Sequence, residues 1–127
     1  MSKHILLVED TAELAENLAD FLRMEGYEVT IAENGAKGMA FLNVVRPDVI
    51  ITDLLMPEMN GIEFIRNVRK DKHQQAVPII IVSARVGAQS RDEGFEAGAN
   101  LFLDKPIDSD LLLESLVELT STKAWKK

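Results

Sequence analysis

The sequence predicts an α/β fold in which five parallel strands alternate with five helices. Short apolar runs and amphipathic segments alternate five times along the 127 residues, which is the pattern of a repeating strand–helix unit. The runs at residues 49–52 and 79–82 are apolar almost throughout and rich in β-branched side chains, as expected of strands buried on both faces. The chain shows no internal repeat and no linker, so we expect a single domain.

The strands follow from the apolar runs and from the breakers between them. Residues 27–32 alternate between polar and apolar side chains, which indicates a half-exposed strand at the edge of the sheet. Pro78 is expected to open the fourth strand. The five strands are predicted at residues 5–8, 27–32, 49–52, 79–82 and 101–103.

The helices are indicated by apolar residues at helical spacing and by residues suited to helix ends. Gly26 is placed to end the first helix in a left-handed conformation, and Asp108 to cap the last helix. Gly87 and Gly94 weaken the fourth helix, because each glycine costs about 1 kcal/mol relative to alanine. The helices are predicted at residues 11–25, 34–45, 62–69, 87–97 and 108–120, with apolar residues at helical spacing at Leu14, Leu18, Phe21, Leu22, Ile62, Ile65, Val68, Leu112, Leu116 and Leu119.

Composition excludes several classes of function. The chain has no cysteine, which excludes disulfides, thiol catalysis and cysteine-ligated zinc. Its net charge of -7 argues against nucleic-acid binding, since phosphate backbones are bound by clustered lysine and arginine. No apolar stretch is long enough for a membrane span or a signal peptide, so the expected location is the cytoplasm. We expect a domain core at residues 4–120, a short basic tail at 121–127 and no output domain.

Five polar residues stand at the ends of predicted strands: Glu9, Asp10, Asp53, Ser83 and Lys105. In an open parallel sheet the carboxyl ends of the strands lie along one edge, where ligands bind. We therefore expect three carboxylates, a hydroxyl and an ammonium in one crevice. Carboxylate oxygens suit a divalent cation such as Mg²⁺, which keeps several waters and shares oxygens with phosphates. The sequence thus predicts a site for a divalent cation and a phosphoryl group.

Each of these residues also has a purely structural interpretation. The first two acids could begin a helix, with Asp10 and Glu13 forming a capping box. Asp53 could cap the loop that follows it, although an acid at the end of an apolar strand is costly without a reason. Ser83 could form a turn, and Lys105 could be a solvated surface charge. Which interpretation applies depends on whether these side chains lie close together in the folded protein.

Taken in order, these residues resemble the receiver domain of two-component response regulators, of the stand-alone type similar to the chemotaxis response regulator. The resemblance extends from Ile5 to Leu119. It implies a flavodoxin-like fold with a five-stranded parallel sheet in the order 2-1-3-4-5, in agreement with the strand–helix pattern. It rests on four motifs that each follow or end a predicted strand: Ile5-Leu6-Leu7-Val8-Glu9-Asp10, Asp53-Leu54-Leu55-Met56-Pro57-Glu58-Met59-Asn60-Gly61, Ser83-Ala84 and Lys105-Pro106.

The resemblance implies a phosphoacceptor and a metal site. Asp53 would accept a phosphoryl group from a phosphohistidine on a partner histidine kinase or histidine phosphotransfer protein. Asp10 would bind Mg²⁺ or Mn²⁺ directly, and Glu9 would bind it through water. Asp53 and the backbone carbonyl of Leu55 would complete the protein ligands.

The resemblance also implies how a signal would leave the site. Ser83 and Lys105 would bind the phosphoryl oxygens, and Phe102 would change rotamer as Ser83 moves, although ordinary core packing also explains an aromatic residue there. The fourth helix, the last strand and the last helix would bind an unidentified downstream protein. Leu55 and Arg85 occupy positions that would modulate the lifetime of the phosphoryl group.

Three other functions are compatible with parts of the pattern. A magnesium phosphohydrolase of the haloacid dehalogenase type would use Asp53 as its nucleophile, but such enzymes place a second acid where this chain has Leu55. A flavin-binding protein would need a phosphate loop rich in Ser, Thr and Gly after the first strand, where this chain has two acids. A degenerate receiver that serves only as an interaction module would not need Asp53, Ser83 and Lys105 together. We therefore expect a regulatory phosphoacceptor that catalyses no more than its own phosphorylation and dephosphorylation.

Overall fold

The computed structural model describes residues 3–54, 56, 59–84 and 88–121, and of Ala88 the backbone alone. Strands and helices alternate throughout this part of the chain. The strands are β1 (His4–Val8), β2 (Glu28–Ala32), β3 (Val49–Thr52), β4 (Ile79–Ser83) and β5 (Leu101–Asp104). The helices are α1 (Ala12–Met24), α2 (Gly35–Leu42), α3 (Gly61–Lys70), α4 (Ala88–Ala97) and α5 (Ser109–Thr120).

The five strands form one parallel sheet in the order β2-β1-β3-β4-β5. Ile5 pairs with Val29 on one side and with Val49 on the other, and Ser83 pairs with Asp104. This arrangement confirms the predicted flavodoxin-like α/β fold and the edge position of β2. Because the chain leaves β1 toward one edge and β3 toward the other, a crevice opens outside the carboxyl ends of these two strands.

Helices cover both faces of the sheet, so the central strands are fully buried. All residues of β3 and β4 are buried, as their apolar runs predict. On one face the core includes Leu6, Ile50 and Phe64, and on the other it includes Ile51 and Leu112. Among the described residues, no helix is both long and apolar enough to cross a membrane.

The buried face of α1 differs from its pattern of large apolar residues. Ala15, Ala19 and Leu22 are buried, whereas Leu14 is 47% exposed and Phe21 is only partly buried. The two small alanines face the sheet, so the larger side chains lie beside the line of contact. The periodicity of the apolar residues therefore predicted the helix correctly, but it did not predict which of its residues pack against the sheet.

Three helix N-termini and one C-terminus show the usual capping chemistry. Asn34, Asn60 and Asp108 each accept a hydrogen bond from a backbone N–H in the first turn of their helix. Gly26 has a φ of 97°, which confirms its predicted left-handed conformation after α1.

The end of α2 is set by a residue distant in sequence. The helix ends at Leu42 rather than at residue 45 as predicted. The Gln74 side-chain amide, which is buried, donates to the carbonyl oxygens of Leu42 at 3.1 Å and Val45 at 3.4 Å. These bonds satisfy carbonyls at the end of the helix, and the local sequence gives no sign of them.

Two glycines are required by close packing. A Cβ atom on Gly61 would lie 2.3 Å from the backbone oxygen of Asp53 and 2.8 Å from Leu54 Cα. A Cβ atom on Gly94 would lie 2.6 Å from Ile81 Cδ1. Gly94, expected only to weaken α4, therefore allows this helix to approach the sheet; Gly87, where the helix was predicted to begin, lies outside the described residues.

Arg69 ties the C-terminal end of α4 to α3. Its guanidinium donates to the carbonyl oxygen of Gly98 through Nε at 3.0 Å and Nη2 at 2.7 Å, and to that of Val77 through Nη1 at 2.7 Å. Burial lowers the pKa of Arg69, and the carbonyl acceptors compensate for the loss of water around its charge. The turn after α4 is thereby fixed to the connection between α3 and β4.

Gly61→Ala is expected to destabilise the protein by about 3 kcal/mol or more, at or above the usual cost of overpacking, because the added methyl meets backbone that cannot rotate away. Gly35→Ala is the matched control. Its Cβ would meet only side-chain atoms of Met59, the Sδ at 2.9 Å and the Cβ and Cγ at 3.0 Å, so Met59 has to shift and the expected loss is smaller than that of Gly61→Ala. Urea unfolding at constant m-value measures both, and equal losses would contradict the assignment.

Candidate functional site

Five of the predicted site residues, Glu9, Asp10, Asp53, Ser83 and Lys105, lie at the carboxyl edge of the sheet. The backbone N–H of Asp53 donates to the Val8 carbonyl at 3.1 Å, and that of Lys105 donates to the Ser83 carbonyl at 2.9 Å. The N–H of Glu9 likewise donates to the last residue of β2 at 3.0 Å. The sheet ladder thus continues one residue beyond three strands and fixes the backbone of the residues that carry the charges.

Glu9, Asp10 and Asp53 form an acidic cluster, in which one oxygen of each residue lies within 4.8 Å of the others. Glu9 is buried, Asp53 is half-buried and Asp10 is exposed. Two carboxylates about 4 Å apart repel each other by about 4 kcal/mol at an effective dielectric constant of about 20. A cation bound to the acidic cluster would relieve this repulsion, and oxygen ligands in this number suit Mg²⁺ or Mn²⁺.

Lys105 supplies positive charge to two members of the acidic cluster. Its Nζ lies 3.0 Å from Glu9 Oε1 and 2.9 Å from Asp53 Oδ2. Burial alone would lower the pKa of the Lys105 ammonium, but the hydrogen bonds and charges of the two carboxylates outweigh it and raise the pKa. The stability linked to this protonation is present at neutral pH and is lost as pH rises through the raised pKa. The peptide bond that follows Lys105, Lys105–Pro106, is cis.

Glu9 is held by two donors in a buried position. Its Oε2 accepts from the backbone N–H of Thr11 at 3.1 Å, and its Oε1 accepts from Lys105. Burial raises the pKa of the Glu9 carboxyl, although the Thr11 N–H and Lys105 act in the opposite direction. The stability linked to protonation of Glu9 is therefore present at low pH and is lost as pH rises through this raised pKa.

The capping box suggested by Asp10 and Glu13 is not formed. Thr11 is the N-cap of α1, and its own side chain makes no capping hydrogen bond. The Thr11 N–H instead points to Glu9. The capping box therefore does not account for Asp10, whose carboxylate joins the acidic cluster.

The Asp53 carboxylate has a defined orientation. Oδ1 accepts from the backbone N–H of Leu54 at 2.6 Å, and Oδ2 faces Lys105. The loop behind Asp53 is closed by Gly61, whose N–H donates to the Leu54 carbonyl at 2.8 Å. One Asp53 oxygen is thus held by the backbone, while the other faces the ammonium.

Ser83 and Phe102 lie close to this edge but have different surroundings. Ser83 is fully buried at the end of β4, beside the strand end that carries Lys105. Phe102 is 5% exposed and belongs to the core cluster on the α3 and α4 side of the sheet. Leu55 and Arg85, predicted to modulate the phosphoryl lifetime, lie outside the described residues.

An apolar groove of about 680 Å³ adjoins the acidic cluster. It runs between α1 and the segment that follows β5, and its lining includes Leu14, Leu18, Phe21, Pro106 and Ile107. The apolar residues that α1 does not bury against the sheet therefore border the charged site.

Arg91 was not predicted from the sequence as a residue of the site or of the switch. Its guanidinium contacts Phe102 and Asp104, two residues of β5. No local pattern links a helical arginine to a strand more than ten residues later. The only indication in the sequence is that an arginine lies on α4, the helix that precedes the strand of the predicted switch residue Phe102.

Comparison with known proteins places the chain in a family. Residues 5–117 match the response regulator receiver domain. The protein PilH of Pseudomonas aeruginosa is 35% identical over 112 residues, which cover 88% of this chain and 93% of PilH. Other curated relatives are longer, and the chain spans 27 to 57% of their length.

Solved structures agree with this assignment. The chemotaxis response regulator CheY4 of Vibrio cholerae has a TM-score of 0.87 at 31% identity, with 94% of this chain and 99% of that chain covered. The receiver domain of the sensor histidine kinase PA1611 of Pseudomonas aeruginosa PAO1 has a TM-score of 0.89 at 29% identity, with 96% and 100% covered, and carries a magnesium ion in its active-site cleft. The fold, the acidic cluster and these matches together show that the chain belongs to the response regulator receiver domain family of two-component signalling.

Proposed function

We propose that this receiver domain is a phosphorylation-activated switch in which Asp53 accepts the phosphoryl group. The observation that carries the proposal is the position of the Asp53 carboxylate, which lies 2.9 Å from Lys105 Nζ and within the acidic cluster. Aspartate can act as a nucleophile toward phosphorus. Lys105 can stabilise the negative charge of the incoming phosphoryl group, and the other two acids of the cluster can bind a metal.

The metal we propose for the acidic cluster is Mg²⁺ or Mn²⁺. Asp10 is exposed and suits direct coordination, whereas both oxygens of Glu9 already accept hydrogen bonds, which favours contact through water. Asp53 and the backbone carbonyl of Leu55 would complete the protein ligands. When bound, the ion would neutralise part of the negative charge on the phosphoryl group. The magnesium ion in the PA1611 receiver domain supports this proposal.

In the proposed transfer, an oxygen of Asp53 attacks phosphorus and forms an O–P bond. The N–P bond of a phosphohistidine on the donor breaks, and its electron pair stays on the imidazole nitrogen. We assign the attack to the oxygen that faces Lys105, because the Leu54 N–H holds the other. Lys105 and the Ser83 hydroxyl would then bind the phosphoryl oxygens, so that catalysis rests on positioning and charge stabilisation.

The donor we propose is a histidine kinase or a histidine phosphotransfer protein, as membership of the family in two-component signalling suggests. The chain would act in the cytoplasm as a regulatory phosphoacceptor rather than as an enzyme with a substrate of its own. The match across 93% of PilH supports a receiver that acts on a separate downstream protein.

The output surface we propose comprises α4, β5 and α5. Of the described residues of α4, only Gly94 and Ala97 are buried, so this helix has a thin contact with the sheet. Weakly packed elements beside a ligand site are where switching motions occur. Ser83 and Phe102 would transmit the change, and Leu55 and Arg85 would influence how long the phosphoryl group remains.

Asp53→Asn is expected to keep the fold and to take up no phosphoryl group from acetyl phosphate with Mg²⁺, because the amide is a poor nucleophile. Intact-mass measurement checks this. Asp20→Asn, at an exposed position of α1, is the matched control and should be labelled like the wild type. Labelling of Asp53→Asn at the wild-type level would remove Asp53 as the acceptor.

Asp10→Asn is expected to weaken Mg²⁺ binding by at least about tenfold, or about 1.4 kcal/mol, because a direct ligand loses its charge. The same change should raise the Tm of the metal-free protein, by about 4 °C for each kcal/mol of repulsion removed. Calorimetric titration and thermal unfolding measure the two effects. Unchanged affinity in Asp10→Asn, with Asp20→Asn as control, would contradict the proposed ligand.

Lys105→Ala is expected to separate phosphorylation from its structural response. In the wild type, phosphorylation should change amide hydrogen exchange most between Arg85 and Phe102. In Lys105→Ala the phosphoryl group should be taken up with a smaller change there, because the ammonium links it to β5. Lys72→Ala, at an exposed position of the α3–β4 connection, should respond like the wild type. A full response in Lys105→Ala would make Lys105 dispensable for the switch.

A further inference from the structure

A single arginine joins α4 to β5 through three contacts. Arg91 Nη2 lies 2.5 Å from Asp104 Oδ2, and Arg91 Nη1 donates to the Phe102 carbonyl at 3.3 Å. The central carbon of the guanidinium lies 4.9 Å from the centroid of the Phe102 ring. This distance is within the range of cation–π attraction, so Arg91 binds both the backbone and the ring of the same residue.

The Phe102 ring is enclosed by α4 at two successive turns of the helix. A Cβ atom on Gly94 would lie 3.5 Å from Phe102 Cδ2, so the ring lies close to the backbone of the helix there. Arg91, three residues earlier, covers it from the adjacent turn. The ring is therefore 5% exposed, and it could not leave this position without losing its contact with the Arg91 guanidinium.

The same arginine is connected to the residues proposed to bind the phosphoryl group. Asp104 directly precedes Lys105, whose ammonium contacts Asp53. Asp104 also pairs with Ser83 in the register of β4 and β5. A movement of the strand end that carries Lys105 would therefore change the distance between Asp104 and Arg91.

We propose that Arg91 is a positioning residue that holds Phe102 in its buried rotamer and couples α4 to the strand end carrying Lys105. The ion pair alone would not suffice, since its side chains are 40% and 45% exposed and pairs of this kind contribute little. The distinguishing feature is that one guanidinium combines this pair with the contact to the ring. The coupling to α4, but not the effect on the rotamer, rests on the proposed function.

The test is ¹⁹F NMR of protein labelled with fluorophenylalanine at its five phenylalanines, with Phe102 assigned from Phe102→Leu. Arg91→Met keeps the length of the side chain and removes the guanidinium. The Phe102 signal should shift or broaden in Arg91→Met without any added ligand. Arg66→Met, at an exposed position of α3, should leave it unchanged. A Phe102 signal at the wild-type position in Arg91→Met would overturn the proposal.

A second measurement adds beryllofluoride, an analogue of the phosphoryl group, together with Mg²⁺, and follows the backbone amide signals of α4. The wild type should respond, and Arg91→Met should respond by less than half as much. Equal responses would overturn the coupling. If the wild type shows no response while the Phe102 signal still depends on Arg91, the proposed function fails and the role of Arg91 in positioning the ring stands. Arg91→Gln, a polar side chain that also lacks the guanidinium, replaces Arg91→Met if that variant does not fold.

Discussion

The mutual repulsion of three carboxylates at one edge of the sheet is the interaction on which the site depends. Glu9, Asp10 and Asp53 lie within 4.8 Å of one another through one oxygen each, and Lys105 contacts two of them. A single lysine, directly after β5, can neutralise only part of this charge. The site therefore contains unfavourable charge repulsion, which the rest of the fold has to offset.

The buried strands β3 and β4 and the start of α3 hold the backbone at this charged edge in place. The fully buried strands β3 and β4 bring Asp53 and Ser83 to their positions, and Gly61 lets α3 begin against the backbone of Asp53. Packing is much thinner around α4, where glycine faces the sheet and arginine side chains make the contacts. The molecule thus combines a well-packed sheet edge that carries the acidic cluster with an adjacent helix, α4, that is more thinly packed.

Much of the candidate site could be predicted because its residues occupy fixed positions relative to the strands. Asp53 and Lys105 each directly follow a strand, and a parallel sheet brings such residues to one edge. The detail of their contacts could not be predicted. Nothing local indicates that Lys105 would bridge Glu9 and Asp53, or that the Thr11 N–H would bind Glu9 in place of a capping box at Asp10.

By itself, the sequence determined the strand–helix alternation, the strand ends that carry chemistry and the cap at Asp108, because these depend on short-range periodicity and on backbone groups within one turn. Tertiary structure alone decided which side chains of α1 are buried, where α2 ends and what encloses Phe102. The physical reason is that these features depend on pairs distant in the chain, such as Gln74 with Leu42 and Arg91 with Asp104. Contacts of that kind leave no periodic signal.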